Sequence, residues 1–192
     1  MTMSTEKTIY IEPAAYDAKV LDVPFYNQND PLWEGEIMQT CGKPIGEQGC
    51  TITCLAMITK YFTDSGDPST VNTALGNGAC PLSSYSTSAT KLGLSIVDSN
   101  RKDDGTFISQ SDVTKFIVDN IKSGYPVLVG MAKKNDFNST HFVVAKEYEQ
   151  ATQSSSFVIK VNDPGTKNGD GVLFSTFDSD YGVNRLYSYK KA

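Results

Sequence analysis

One histidine, one tryptophan and four cysteines are spread over 192 residues, and these scarcities set the first limits. If a thiol and an imidazole act together here, the imidazole is that of His141. Cysteines at 41, 50, 54 and 80 contain no C-x-x-C pair, so the pattern of a structural zinc site is missing, and no metal or organic cofactor is expected. A chain this long with so few cysteines is not a disulfide scaffold, and the expectation is four free thiols. No run of about 18 apolar residues occurs and the N-terminal MTMSTEKTIYIEPAAYDAK has no basic head before an apolar stretch. The sequence therefore reads as neither a membrane protein nor a secretory precursor. Lys and Arg (17) are outnumbered by Asp and Glu (22) and form no cluster, which excludes the electrostatic footprint of a nucleic-acid or anionic-membrane partner.

What remains is ordinary for a globular chain: 39% hydrophobic and 20% charged residues, with 15 glycines and 8 prolines. Residues 1–20 are polar and weakly patterned and read as an N-terminal arm; residues 21–192 read as one domain. VLDVPFYNQ alternates like a short strand running into a loop, and residues 28–49 have no sustained period. Helical spacing starts at Cys50, with Ile52, Leu55, Ile58 and Phe62 on one side and Thr51 and Thr53 opposite, and ends near Asp64-Ser65-Gly66. Asp67-Pro68 is a cap and first-turn proline for a shorter helix through Leu75. SSYSTSATKLGL is helical up to Gly93, and SQSDVTKFIVDNIKSG is the clearest amphipathic helix, stopped by Gly124. PVLVGM, HFVVAKEYE, SFVIKVND, GVLFSTF and NRLYSYK are rich in β-branched and aromatic residues and predict strands. Helices first and strands afterwards predict an α+β fold, a helical half packed on an antiparallel sheet.

Cys50 stands out by position. A thiol at a helix start lies where unpaired N–H groups and the helix dipole favour the thiolate, and Gly49 allows close passage of the backbone past a substrate. His141 opens a strand after the polar stretch NDFNST and is a base candidate. Asn162 and Asp163, in VNDPG at the end of the next strand, are candidates to orient the imidazole, because an antiparallel neighbour ends beside the start of the histidine strand. Gln28, in the preceding loop, is a candidate oxyanion donor beside the Cys50 N–H. Cys41, in TCGKP, is a rival nucleophile without a helix behind it. Cys54, one turn beyond Cys50, reads as a core thiol, and Cys80 reads as structural. DPGTKNGDG offers oxygens at Asp163, Asn168 and Asp170 but lacks the closing glutamate of a calcium loop and reads as a hairpin turn. Trp33 either lines the cleft or anchors its loop on the core.

The order Gln, Cys, His, Asp and the blocks VPFYNQNDPLW, IGEQGCTITCLAMITKYF, DPSTVNTAL, GYPVLVGM, THFVVAKEYE and VNDPG, over roughly residues 21–165, resemble papain-superfamily (clan CA) peptidase-like domains related to bacteriocin-processing peptidases, which cleave double-glycine leaders. The resemblance implies a papain-like fold and a cysteine peptidase with Gln28 as oxyanion donor, Cys50 as nucleophile, His141 as base and Asp163 as orienter. Trp33, Gly49 and Thr140 are the expected substrate-binding positions. Two departures narrow the space at the reacting groups: Thr51-Ile52 stands where the family often has Gly-Pro, and Thr140 stands where a glycine often precedes the histidine. The partner expected is a peptide; the alternatives are a peptidoglycan-peptide substrate, as for a cell-wall hydrolase or phage lysin, and a catalytically silent module that binds peptides.

Overall fold

The computed structural model describes residues 17–82, 84–150 and 156–192. Most of the predicted arm, residues 1–16, lies outside the described residues.

Nine strands and five α-helices occur among the described residues. Strands β1 (Ala18–Val20), β4 (Leu94–Arg101), β5 (Val127–Lys133), β6 (Asp136–Gln150), β7 (Phe157–Asn162), β8 (Val172–Leu173) and β9 (Tyr181–Lys191) form one antiparallel sheet in the order β4-β9-β5-β6-β7-β8. The long β6 pairs with β5 between Asp136 and Ala145, with a register shift beside Thr140, and then with β1 from Glu147 to Glu149, so β1 extends the side on which β5 stops. Strands β2 (Ile37–Met38) and β3 (Lys43–Pro44) make a separate small hairpin. The helices are α1 (Ile45–Gln48), α2 (Cys50–Thr63), α3 (Pro68–Leu75), α4 (Tyr85–Lys91) and α5 (Gln110–Lys122). This is the α+β, papain-like architecture, helices against a large antiparallel sheet, and the buried side chains from Leu21 to Tyr189 make one core cluster.

The helix signals act as the sequence implies. Asp67 caps α3 through the Thr70 N–H, Ser84 caps α4 through the Thr87 N–H, and Ser109 caps α5 through the Asp112 N–H. Gly93 (φ +69°) and Gly124 (φ +89°) take the left-handed backbone that ends α4 and α5. Helix α2 departs from the amphipathic expectation. Every residue from Ile52 to Thr59 is buried, Thr53 included, because sheet and helices cover it on all sides; a helix enclosed in this way keeps no polar face. Thr59 satisfies its hydroxyl by donating to the Leu55 carbonyl at 2.7 Å.

Four other expectations change. The strand predicted over residues 20–28 is displaced: β1 ends at Val20, and the following segment is irregular but tied down, with Leu21 and Val23 buried. Residues 94–101 form β4, which pairs with the last strand β9, so a strand interrupts the helical half. Only Val172–Leu173 of GVLFSTF is strand; Phe174–Phe177 closes into a 3-10 turn with Phe174 buried. The segment 28–49, predicted as a loop, holds the β2–β3 hairpin and α1, anchored by the fully buried Met38 and Ile45.

The thiol expectation is also corrected. Cys41 and Cys80 form a disulfide, with Cα atoms 5.5 Å apart, inside the range that a disulfide spans. The turn between β2 and β3 carries Cys41 to the segment after α3, and a sequence separation of 39 residues hides that proximity. Cys41 is thereby removed as a rival nucleophile, while Cys50 and Cys54 remain free.

Candidate active site

A cleft of about 620 Å³ runs between the N-terminus of α2 and the sheet, and Gln28, Cys50, Thr51, Thr140 and His141 all line it. Cys50 is the first residue of α2, partly exposed at the point where the helix dipole is positive. Gly49 holds that helix start against α1. Its N–H donates to the Ile45 carbonyl at 2.7 Å, and a Cβ at position 49 would lie 2.4 Å from the same oxygen. The close approach that requires glycine is therefore to the chain itself.

His141 lies on β6 and Asp163 directly follows β7. The register pairs Val144 with Asn162, so Asp163 is opposite Val143 and diagonal to His141, on the same face of the sheet and within reach of a side chain. His141 Nε2 and Asp163 Oδ1 are 2.7 Å apart, with 18% and 10% of the two side chains exposed. Asp163 is held on both oxygens: the Gly165 N–H donates to Oδ1 and the Thr166 hydroxyl to Oδ2, each at 2.9 Å. Burial alone would raise the Asp163 pKa, but the His141 contact and these two donors outweigh it and hold the carboxyl below its ordinary value.

The imidazole has two polar partners. Burial pulls its pKa down, yet hydrogen bonds to Asp163 and to Cys50, with the attraction of both groups, raise it to about 9. Since Nε2 faces Asp163, Nδ1 is the nitrogen left for the Cys50 sulfur. The aromatic rings of Phe177 and Tyr181 flank the imidazole, at centroid distances of 6.0 and 6.3 Å, and limit its contact with water.

Asn162, the other candidate orienter, points elsewhere. Its Nδ2 donates to the carbonyls of Val23 and Pro24, both at 3.2 Å, and its Oδ1 accepts from the Gly171 N–H at 3.2 Å. It fastens the segment that leads to Gln28 onto the sheet. Gln28 is joined to the far side of the same turn, its N–H donating to the Pro164 carbonyl at 2.9 Å. Its side chain is buried, with Nε2 donating to the Gly46 carbonyl at 3.0 Å and Oε1 lacking a partner among the described residues. One Nε2 proton remains, and Gln28 borders the cleft.

Trp33 does not border this cleft. It is buried, its Nε1–H donates to the Asn27 carbonyl at 2.8 Å, and its ring meets Tyr26 edge-on at 5.6 Å; it anchors the loop that carries Gln28. Cys54 is enclosed in the core, where burial pushes its thiol pKa well up. The groups that sequence reasoning missed are Gly165, Thr166, Phe177 and Tyr181. DPGTKN does contain the first two, and a carboxylate two and three residues ahead of an N–H and a hydroxyl is a recognisable turn signal.

No curated protein matches the chain. A family match does, under the description Peptidase_C39 like family, over residues 20–187. It spans the cleft, the helix that starts at Cys50, the strand of His141 and the turn of Asp163. The chain belongs to this family, a group of papain-like, cysteine peptidase-related domains.

Proposed function

We propose that the chain is an active cysteine peptidase that hydrolyses amide bonds of a peptide lying in the cleft, with residues 21–192 as its catalytic domain. The observation that carries this reading is the shared imidazole: His141 lies 2.7 Å from Asp163 and borders the same cleft as Cys50, and the two groups together raise its pKa. In this reading the Cys50 thiolate attacks the scissile carbonyl carbon. The oxyanion is held by the Cys50 backbone N–H, one of the unpaired donors of a helix start, and by the free Nε2 proton of Gln28. His141 then gives its Nδ1 proton to the leaving amine as the C–N bond breaks, leaving a thioester on Cys50. Water attacks the thioester carbonyl, His141 takes a proton from it, and the acid product leaves with Cys50 restored as thiolate. Asp163 keeps the ring oriented and the imidazolium stabilised throughout. No cofactor enters the scheme.

A second reading, the silent peptide-binding module, is favoured by one observation: Thr51 and Thr140 both border the cleft beside Cys50 and His141, where they narrow the approach to the sulfur. Turnover separates the two. The protein and its Cys50→Ala variant are incubated with a diverse library of peptides, with peptidoglycan stem peptides included, and products are read by mass spectrometry. New termini generated by the wild type and absent with Cys50→Ala support the peptidase. Cleavage that survives Cys50→Ala, or no cleavage of any peptide by the wild type, overturns it.

A further inference from the structure

The cleft carries a second charged feature, away from Cys50, His141 and Asp163. Four adjacent strands set Phe142, Gly130, Arg185 and Arg101 in one row: Phe142 is opposite Gly130, Gly130 is opposite Arg185, and Arg185 is opposite Arg101. Residues directly opposed across a ladder project from the same face of a sheet, and Phe142, Arg185 and Arg101 all line the cleft. Gly130 keeps the row open. A Cβ there would meet the Phe142 ring at 2.6 Å and the Arg185 Cβ at 3.0 Å.

Two like charges directly opposed destabilise an antiparallel pair. Arg101 has a neutralising partner in Asp103, at 2.5 Å. Among the described residues Arg185 has no carboxylate partner and its buried Nε has no hydrogen-bond partner, and its contact with the Tyr85 hydroxyl brings no negative charge. A buried donor on a charged group left unmatched is costly to the fold. In a chain of net charge −5, a partly desolvated, unneutralised guanidinium beside a second one has the chemistry of an anion receptor, and the planar fork of arginine matches a carboxylate.

We propose that Arg185, with Arg101 beside it, forms a carboxylate-binding subsite of the cleft, so that the peptide it accepts bears an anionic group close to the bond that is cut. This rests on the reading of the cleft as a peptide site. Two inter-strand spacings of about 4.8 Å separate β6 from β9, a reach of about three residues of extended peptide. The carboxylate is either an Asp or Glu side chain or the free C-terminus of the peptide.

The test measures binding in the Cys50→Ala background, independently of turnover. Two sets of matched hexapeptides are used as probes: end-capped peptides with Glu or Gln at each position, and neutral peptides ending in a free acid or an amide. Retention on the immobilised protein is read by mass spectrometry. The expected result is a preference of about tenfold for the acidic member in one of the two sets, the size of a charge-assisted hydrogen bond; which set shows it identifies the source of the carboxylate. Arg185→Met abolishes the preference, and Arg185→Lys, which keeps the charge and the bulk, retains part of it. Equal retention of acidic and neutral members in both sets, or a preference that survives Arg185→Met, overturns the subsite. The two readings fail separately: acidic peptides held selectively but cut by no wild-type protein defeat the peptidase and leave the subsite standing, whereas wild-type cleavage with no acidic preference does the reverse.

Discussion

His141 presents Nε2 to Asp163 at 2.7 Å and thereby leaves Nδ1 for Cys50. The division of the two nitrogens follows from the register of β6 and β7, which sets Asp163 diagonally across from His141, while the Cys50 end of α2 reaches the ring from the other side.

This arrangement predicts the effect of removing the carboxylate's charge. Asp163→Asn keeps the size of the side chain but removes the attraction that raises His141, so the His141 pKa falls from about 9 towards its ordinary 6.5. Titration of the ring proton by NMR measures that shift. Peptide hydrolysis falls by about 10²–10⁴-fold, mostly in kcat. An unchanged His141 titration with Asn at position 163 contradicts the role assigned to the pair.

A pH signature in stability follows from the same pair. The folded-state pKa of His141, about 9, lies above its ordinary 6.5, so the interaction stabilises the fold fully below pH 6.5 and is lost as pH rises through 9. Asp163 is shifted the opposite way and stays ionised throughout that window. The difference in unfolding free energy between wild type and His141→Gln, from urea titrations at a series of pH values, therefore shrinks between about pH 6.5 and 9. A difference that is flat across this window argues against the raised pKa.

The disulfide gives a prediction on stability. Cys41 and Cys80 close a long loop, and replacing both by serine lowers the unfolding free energy by about 2–4 kcal/mol. Calorimetry of the double variant reads this as a lower Tm, and reductant lowers the wild-type Tm towards the same value. Cys54→Ala serves as the comparison, since Cys54 is free and its loss leaves the response to reductant intact.

At the helix start, Gly49→Ala drives a methyl against the Ile45 carbonyl, where the Cβ would be 2.4 Å away. The backbone must shift, at a cost of about 1–3 kcal/mol, and the shift moves Cys50. Both the urea midpoint and the turnover number fall. A substitution that leaves the midpoint unchanged while raising KM alone would return Gly49 to the substrate-contact role expected from the sequence.

Much of the fold was legible in the chain because it depends on local rules. Asp67 announces its helix by capping chemistry, Gly93 and Gly124 end two others through a positive φ, and the segments after Gly124 that are rich in β-branched and aromatic residues supply most of the sheet. The strand 94–101 was not legible, because LSIVDSNR is half polar and becomes a strand only by pairing with β9, the last strand of the chain. Nor was the enclosure of Thr53 and Thr59, since periodicity reports which residues are apolar and not how many neighbours a helix acquires.

For the site the division is similar. Residue types and chain order by themselves determined that any thiol–imidazole chemistry uses His141, that Cys50 begins a helix, and that a carboxyl follows the next strand. Residue types left Asp163 and Asn162 both open and the resemblance favoured Asp163; tertiary structure separates them physically, because one side chain faces His141 and the other the carbonyls of Val23 and Pro24. It likewise withdrew Cys41 into a disulfide, moved Trp33 from the cleft to the loop anchor, and put Arg101 and Arg185 face to face. The reason is physical: caps, turns and alternation act over a few residues and leave their record in the sequence, whereas strand register and long-range contact join residues tens of positions apart, and no local pattern encodes which ones meet.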